Sequence, residues 1–306
     1  MDLSIIIESV ISLFIIILVG VYSSNRKIIT KKINKGLVDL LVKVALPFMI
    51  LSSFIYTYDE AIKSNIIDTF YYSLIAYIVM IIVSYVFLFP IKKDKKTILH
   101  FSNVFVNTGY VGFPILFSIY GAQGVIYGSI FNMFFVILIW TYGIILFKGN
   151  FNRSDLKSEL KTILVNPSIL AVCLGLIIMA FDIRLPGPLL SSIESIGSIT
   201  GPLSMLIIGV ILSNVKIKKY LKDWTIYYGV TIKLLIIPSI IYLISLLIEP
   251  SKALNSVVIM SAMPASTMTS ILAESFNKEK EYAAIIVSIT TLLSLITIPL
   301  LLRFLL

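Results

Sequence analysis

Asn107-Thr108-Gly109-Tyr110-Val111-Gly112-Phe113-Pro114 lies near the middle of an apolar run covering residues 98–120. Pro114 has no N–H, and its ring clashes with the preceding helical turn. Phe113, before a proline, is pushed away from helical geometry. The reading predicts a helix that breaks before Pro114 and restarts with proline in its first position. A second run, 253–276, carries Ser261-Ala262-Met263-Pro264-Ala265-Ser266-Thr267, again with proline near its centre. Two interrupted apolar helices in one chain decide what the rest of the sequence has to explain.

The surroundings of these runs identify the solvent. The chain has 306 residues, 58% hydrophobic and 13% charged, with a mean hydropathy of +1.01. A soluble domain carries about a quarter charged residues, so an ordinary soluble enzyme, a disordered chain and a disulfide scaffold are excluded. Ten apolar segments are expected, at 3–22, 37–57, 66–89, 98–120, 124–147, 166–181, 190–214, 224–248, 253–276 and 282–305. Most have the ~20 residues that cross a bilayer, and backbone groups in lipid must be paired within the segment, which makes them helices. Met1-Asp2-Leu3 has no positive charge, and Arg26, Lys27, Lys31, Lys32 and Lys35 follow the first segment, the reverse of a signal peptide.

The basic residues code an orientation. Of 25 Lys and Arg, 19 fall in alternate connections (1–2, 3–4, 5–6, 7–8 and 9–10), and Lys63, Arg184, Lys252 and Arg303 lie on the other side. This positive-inside bias puts both termini outside and accounts for the +9 net charge without nucleic acid. Tyr56, Tyr58, Tyr71 and Tyr72 flank an outer loop, and Trp224, Tyr227 and Tyr228 mark an inner boundary. A polar stretch holding Arg153, Asp155, Lys157, Glu159 and Lys161 divides the chain into 1–150, a linker 151–165, and 166–306. Five segments lie on each side, and an odd number forces the second half to enter the membrane in the opposite sense, as an inverted repeat requires. Pro47 and Pro202, and Pro114 and Pro264, recur at similar offsets. The expected fold is an all-α integral membrane protein of ten transmembrane helices, two inverted five-helix repeats with helices 4 and 9 broken and crossed.

A break in lipid persists only where protein or a wet cavity satisfies the freed backbone. Paired breaks in inverted halves point to a substrate site at the midplane, where helix N-termini of roughly +0.5 charge suit an anion. The candidate substrate-binding residues are Asn107, Thr108, Gly109, Gly112, Pro114, Pro264, Ala265 and Ser266, with Gly109 and Gly112 letting backbones cross closely. Lys233 lies near mid-membrane, at an insertion cost of roughly 2.5–3.5 kcal/mol; it either faces the substrate anion or couples protons, or else it snorkels or pairs with a buried carbonyl. Lys43 is expected to pair with Asp39 at i,i+4. His100, at the start of segment four, is expected to be hydrated. Pro47, Pro202, Pro238 and Pro299 are read as kinks, Gly124 and Gly128 as helix packing, and Ser261, Ser266, Thr267, Ser288 and Thr290 as hydroxyls that bond their own helices or a ligand. One cysteine, Cys173, and one histidine build no metal or haem site, and no phosphate loop is present, so no cofactor is expected.

Asn107–Pro114 resembles the helix-4 signature of the auxin efflux carrier family, the bacterial relatives of the plant PIN exporters. Val44-Ala45-Leu46-Pro47-Phe48, Ala262-Met263-Pro264-Ala265 and residues 288–299 are similar to its helix-2, helix-9 and final-helix segments. The resemblance implies a scaffold of helices 1, 2, 6 and 7 that often forms a homodimer, and a moving transport domain of helices 3–5 and 8–10. It implies export or exchange of an organic anion such as a carboxylate or auxin-like acid, and it places the family's crossover asparagine on Asn107 and its crossover prolines on Pro114 and Pro264. The short linker fits the compact bacterial form and argues against auxin itself. The expected function is a secondary transporter of the cell membrane working by alternating access, with H+ coupling, Na+ coupling and uniport all open. The alternative is a channel or membrane sensor on a transporter-like body; an intramembrane enzyme would need a nucleophile with a base or paired acids, which these segments lack.

Overall fold

The computed structural model describes residues 3–55, 60–149, 160–213, 220 and 222–305. Tyr56, Tyr58, Arg153, Asp155, Lys157 and Glu159 lie outside the described residues. Among the described residues there is no strand; one isolated antiparallel bridge joins Val106 to Ala265. The helices are α1 Leu3–Asn25, α2 Lys31–Phe54, α3 Glu60–Phe87, α4 Lys93–Val104, α5 residues 108–120, α6 residues 122–148 and α7 Pro167–Ala180. They continue as α8 Gly187–Ser213, α9 Trp224–Ser245, α10 Lys252–Ser261, α11 Met268–Ser275 and α12 Lys280–Leu305. Each predicted apolar segment falls on helix, and the predicted fourth and ninth segments are each two helices. Six helical stretches are long and apolar enough to cross a membrane: Lys31–Phe54, Ser64–Phe87, Thr108–Lys148, Gly187–Ser213, Trp224–Ser245 and Lys280–Leu305. The longest of these reverses at Gly121, whose φ of 59° is open to glycine without strain.

The surface is apolar where that of a soluble protein is polar. Leu18, Tyr85, Phe89 and Leu247 are exposed, while Ser84, Asn103, Asn132 and Lys233 are buried. An apolar exterior around polar groups is what lipid as solvent demands. The chain is an integral membrane protein.

Local chemistry explains the helix boundaries. Thr30 caps α2, its hydroxyl accepting from the Ile33 amide at 3.4 Å, so the helix starts six residues before the predicted segment. Asn166 caps α7 through the Ser168 amide at 3.0 Å, ahead of Pro167. The expected kinks at Pro47 and Pro238 are not simple kinks. Each proline stands two residues after a π-turn, Leu41–Ala45 and Ile232–Ile236, and the wider i→i+5 turn gives the ring room that an α-turn denies. Pro299 remains inside α12, and Pro202 sits near the start of Thr200–Ser213.

α1, α2, α7 and α8 pack on one another, and α8 approaches α1 most closely where glycines meet. A Cβ at Gly209 would stand 2.2 Å from the Ile17 carbonyl oxygen, and one at Gly20 would stand 2.4 Å from that of Leu206. The remaining helices surround the paired interruptions described next.

Candidate functional site

The interruption between α4 and α5 falls at residues 105–107, not at Pro114. Phe105 is extended, with φ −96° and ψ 104°, and Asn107 (φ −80°, ψ 75°) caps the new helix. Phe113 is helical at φ −61° and ψ −47°. The prediction failed because Thr108–Gly112 is a π-turn, which absorbs Pro114 two residues later as at Pro47 and Pro238. The second interruption, between α10 and α11, covers 262–267 and does contain Pro264.

The two interruptions satisfy each other. The Asn107 amide donates to the Pro264 carbonyl at 2.7 Å, and the Ser266 amide donates to the Phe105 carbonyl at 2.9 Å. Val106 and Ala265 face each other between these bonds. The Ala265 amide donates to Thr290 Oγ1 on α12 at 3.2 Å. Asn107 Oδ1 accepts from the Tyr110 amide at 3.1 Å, the Asn107 carbonyl from Gly112 at 3.1 Å, and Ser266 Oγ from Met268 at 3.2 Å. An unpaired buried amide or carbonyl costs about 1–3 kcal/mol, so a crossing that pairs these groups keeps both breaks affordable in lipid.

The predicted residues divide into three groups. Asn107, Thr108, Gly109, Gly112, Pro264, Ala265 and Ser266 belong to the crossing. Thr108 Oγ1 donates to Asn132 Oδ1 on α6 at 2.7 Å, a partner that sequence reading missed. Asn107 and Gly109 stand at the start of α5, where the amides of a first helical turn point outward. A Cβ on Gly112 would reach Met260 Sδ of α10 at 2.6 Å, so that glycine admits a side chain of the other interrupted helix; Gly109 meets only ordinary contact with Leu46. Gly128 also faces Met260, and Gly124 the Leu116 carbonyl, so both serve packing.

Pro114 stands apart on a cavity of about 510 Å³ between α1, α2, α5 and α8. Ser12, Ser52, Ser53, Ser118 and Ser198 contribute its hydroxyls, and Glu194 is the charged group among its described lining residues. Four of these hydroxyls donate to their own helices, Ser52 and Ser53 to Met49, Ser118 to Ile115 and Ser198 to Ser195. The sequence offered no signal for this cavity, because its walls are ordinary residues from four distant segments.

Lys233 does not line that cavity. It is fully buried in the π-turn of α9, and its Nζ donates to the Asn103 carbonyl at 3.0 Å. His100 is not hydrated as expected. It is buried with Nδ1 at 2.9 Å from Ser84 Oγ and Nε2 at 2.6 Å from the Tyr142 hydroxyl. Asn103 Nδ2 donates to the same Ser84 Oγ at 3.1 Å, so α3, α4, α6 and α9 share a buried polar chain behind the crossing. Lys43 pairs with Asp39 at 2.8 Å as expected. Ser261, Ser288 and Thr290 bond their own helices.

Residues 5–302 match the family model described as membrane transport protein. An uncharacterized transporter of Methanocaldococcus jannaschii is 27% identical over 308 residues, covering 96% of each chain. An uncharacterized transporter of Methanothermobacter thermautotrophicus is 23% identical over 306 residues, again covering 96% of each. Both are archaeal, whereas the short linker had suggested the bacterial form.

Proposed function

Since the chain belongs to the membrane transport protein family, the auxin efflux carrier family that its motifs resemble, we propose that it is a secondary carrier of a small organic anion. In this reading the ten apolar segments form two inverted five-helix repeats in the cell membrane, both termini outside. The cavity between α1, α2, α8 and α5 then opens on the outer side, and α1, α2, α7 and α8 make a scaffold and homodimer face. The other helices move as the transport domain in alternating access.

The observation that carries the reading is the mutual pairing of the two interruptions beside a cavity that reaches Pro114 on α5. The cavity's described lining supplies a carboxylate and no cation, so in this reading the substrate's negative charge is held beside the cavity, at the start of α5. Asn107 Nδ2, the Gly109 amide and the positive helix end offset it. Serine hydroxyls suit a carboxylate that carries further polar groups.

The test is counterflow in proteoliposomes with mono- and dicarboxylates, each ion gradient imposed separately. The account expects saturable exchange that Asn107→Ala abolishes while the protein stays folded. Wild-type substrate affinity in Asn107→Ala refutes the site, and flux without saturation or counterflow makes the protein a channel.

A further inference from the structure

We propose that the ammonium of Lys233 is a built-in counter-cation for the interrupted α4, seated where a bound monovalent cation would otherwise be required. In an unbroken helix the Asn103 carbonyl accepts from the Asn107 amide, four residues on. Here that amide is turned to Pro264, and the Asn103 carbonyl is left open at the C-terminal end of α4. Helix C-termini carry roughly −0.5 charge. Carbonyls at the ends of half-helices are where carriers hold Na+. Lys233 Nζ fills that position at 3.0 Å.

Two observations single out this lysine. Lys43–Asp39, Lys95–Asp223 and Lys280–Glu274 form ion pairs, and among the described residues no carboxylate pairs with Lys233. A fully buried lysine without an acid keeps its proton only where fixed dipoles compensate it, and the end of α4 is the dipole it touches. Asn103 is itself fully buried, and its Oδ1 has no partner, so a backbone and a side-chain oxygen gather at the same residue. Lys233 is therefore a positioning residue: it sets the break through Asn103 and does not touch substrate.

The proposal rests on the crossing being the transport site, but its main readout, melting of the purified protein, needs no substrate. The wild type is expected to melt at the same temperature in Na+, K+ or choline, and to transport equally in each. Lys233→Met, neutral and of similar length, is expected to melt lower and to lose at least tenfold in transport. Lys233→Ala is expected to regain melting temperature in methylammonium or Na+ at concentrations that leave the wild type unmoved. Saturable stabilisation of the wild type by Na+, a Lys233→Met variant as stable as wild type, or a Lys233→Ala variant unmoved by small cations each overturns the proposal. If neither variant folds, the wild-type cation series decides alone: Na+ insensitivity supports it and a saturable Na+ effect overturns it. If no tested acid is transported, the melting series still decides, so the two failures are distinguishable.

Discussion

Gly209→Ala is a sharp test of the α1–α8 contact. The added carbon would lie 2.2 Å from the Ile17 carbonyl oxygen, 2.7 Å from Gly20 Cα and 2.7 Å from the Val21 nitrogen. Carbon–oxygen contacts settle at about 3.3 Å or more, so the two helices have to part by roughly 1 Å. The obstacles are backbone atoms, and no rotamer change relieves them. Overpacking of this kind costs about 1–3 kcal/mol, against about 1 kcal/mol that alanine gains over glycine in a helix. The difference is a net loss of about 1 kcal/mol, a melting shift on the order of 2 °C. Gly201→Ala on the same helix is the control, because a Cβ there meets nothing within 4 Å and keeps the propensity gain. Thermal unfolding in detergent, followed by size-exclusion chromatography after heating, reads both. A Gly209→Ala protein as stable as Gly201→Ala would show that these helices do not cross at this point.

Other consequences are equally specific. Met260→Ala should cost about 2–5 kcal/mol by cavity formation and Gly112→Ala about 1 kcal/mol by crowding, yet the double variant should be more stable than their sum by roughly 1 kcal/mol; strict additivity would separate α5 from α10. Thr108→Val leaves Asn132 Oδ1 without its donor and should destabilise by about 1–3 kcal/mol, whereas Thr108→Ser should stay near wild type in the same melting assay. At the start of α9, burial pushes the Asp223 carboxyl up, but hydrogen bonds from Lys95 and Thr225 outweigh it and hold the group below the ordinary aspartate value. Its contribution is thus complete above about pH 3.9 and fades as the pH falls through the lower folded value. Asp223→Asn keeps a capping oxygen and loses the charge paired with Lys95, so it should cost about 0.2–1 kcal/mol at neutral pH, and the gap from wild type should close toward pH 3. A gap that widens on acidification contradicts that sign.

Much of the helical layout was legible because lipid imposes a coarse rule: a run of apolar residues between charged ends is a helix. The crossing was legible as well, since Asn107–Pro114 and Pro264 announce irregular backbone. Its location was not. Proline chemistry alone says that the helix breaks at Pro114, but a π-turn is an equally good answer to a missing N–H, and only the packed neighbours select it. Lys233 left two readings open in sequence, and its seat on Asn103 depends on α4 ending where it does. The Ser84–His100–Tyr142 contacts and the Gly20–Gly209 contact join residues far apart in the chain, with no spacing to betray them. The cavity was invisible for the same reason, its serines and Glu194 being unremarkable one by one.

The central claim is that the two interruptions meet, and a disulfide across Val106 and Ala265 tests it most directly. The pair is flanked by the Asn107–Pro264 and Ser266–Phe105 bonds, the antiparallel arrangement with Cα atoms about 4.5 Å apart, within disulfide reach. In a Cys173→Ser background, Val106→Cys with Ala265→Cys should cross-link under mild oxidation, and the halves should stay joined after cleavage at a protease site placed in the 151–165 linker. Halves that separate as freely as those of a protein carrying Val106→Cys with Ser213→Cys would contradict the crossing.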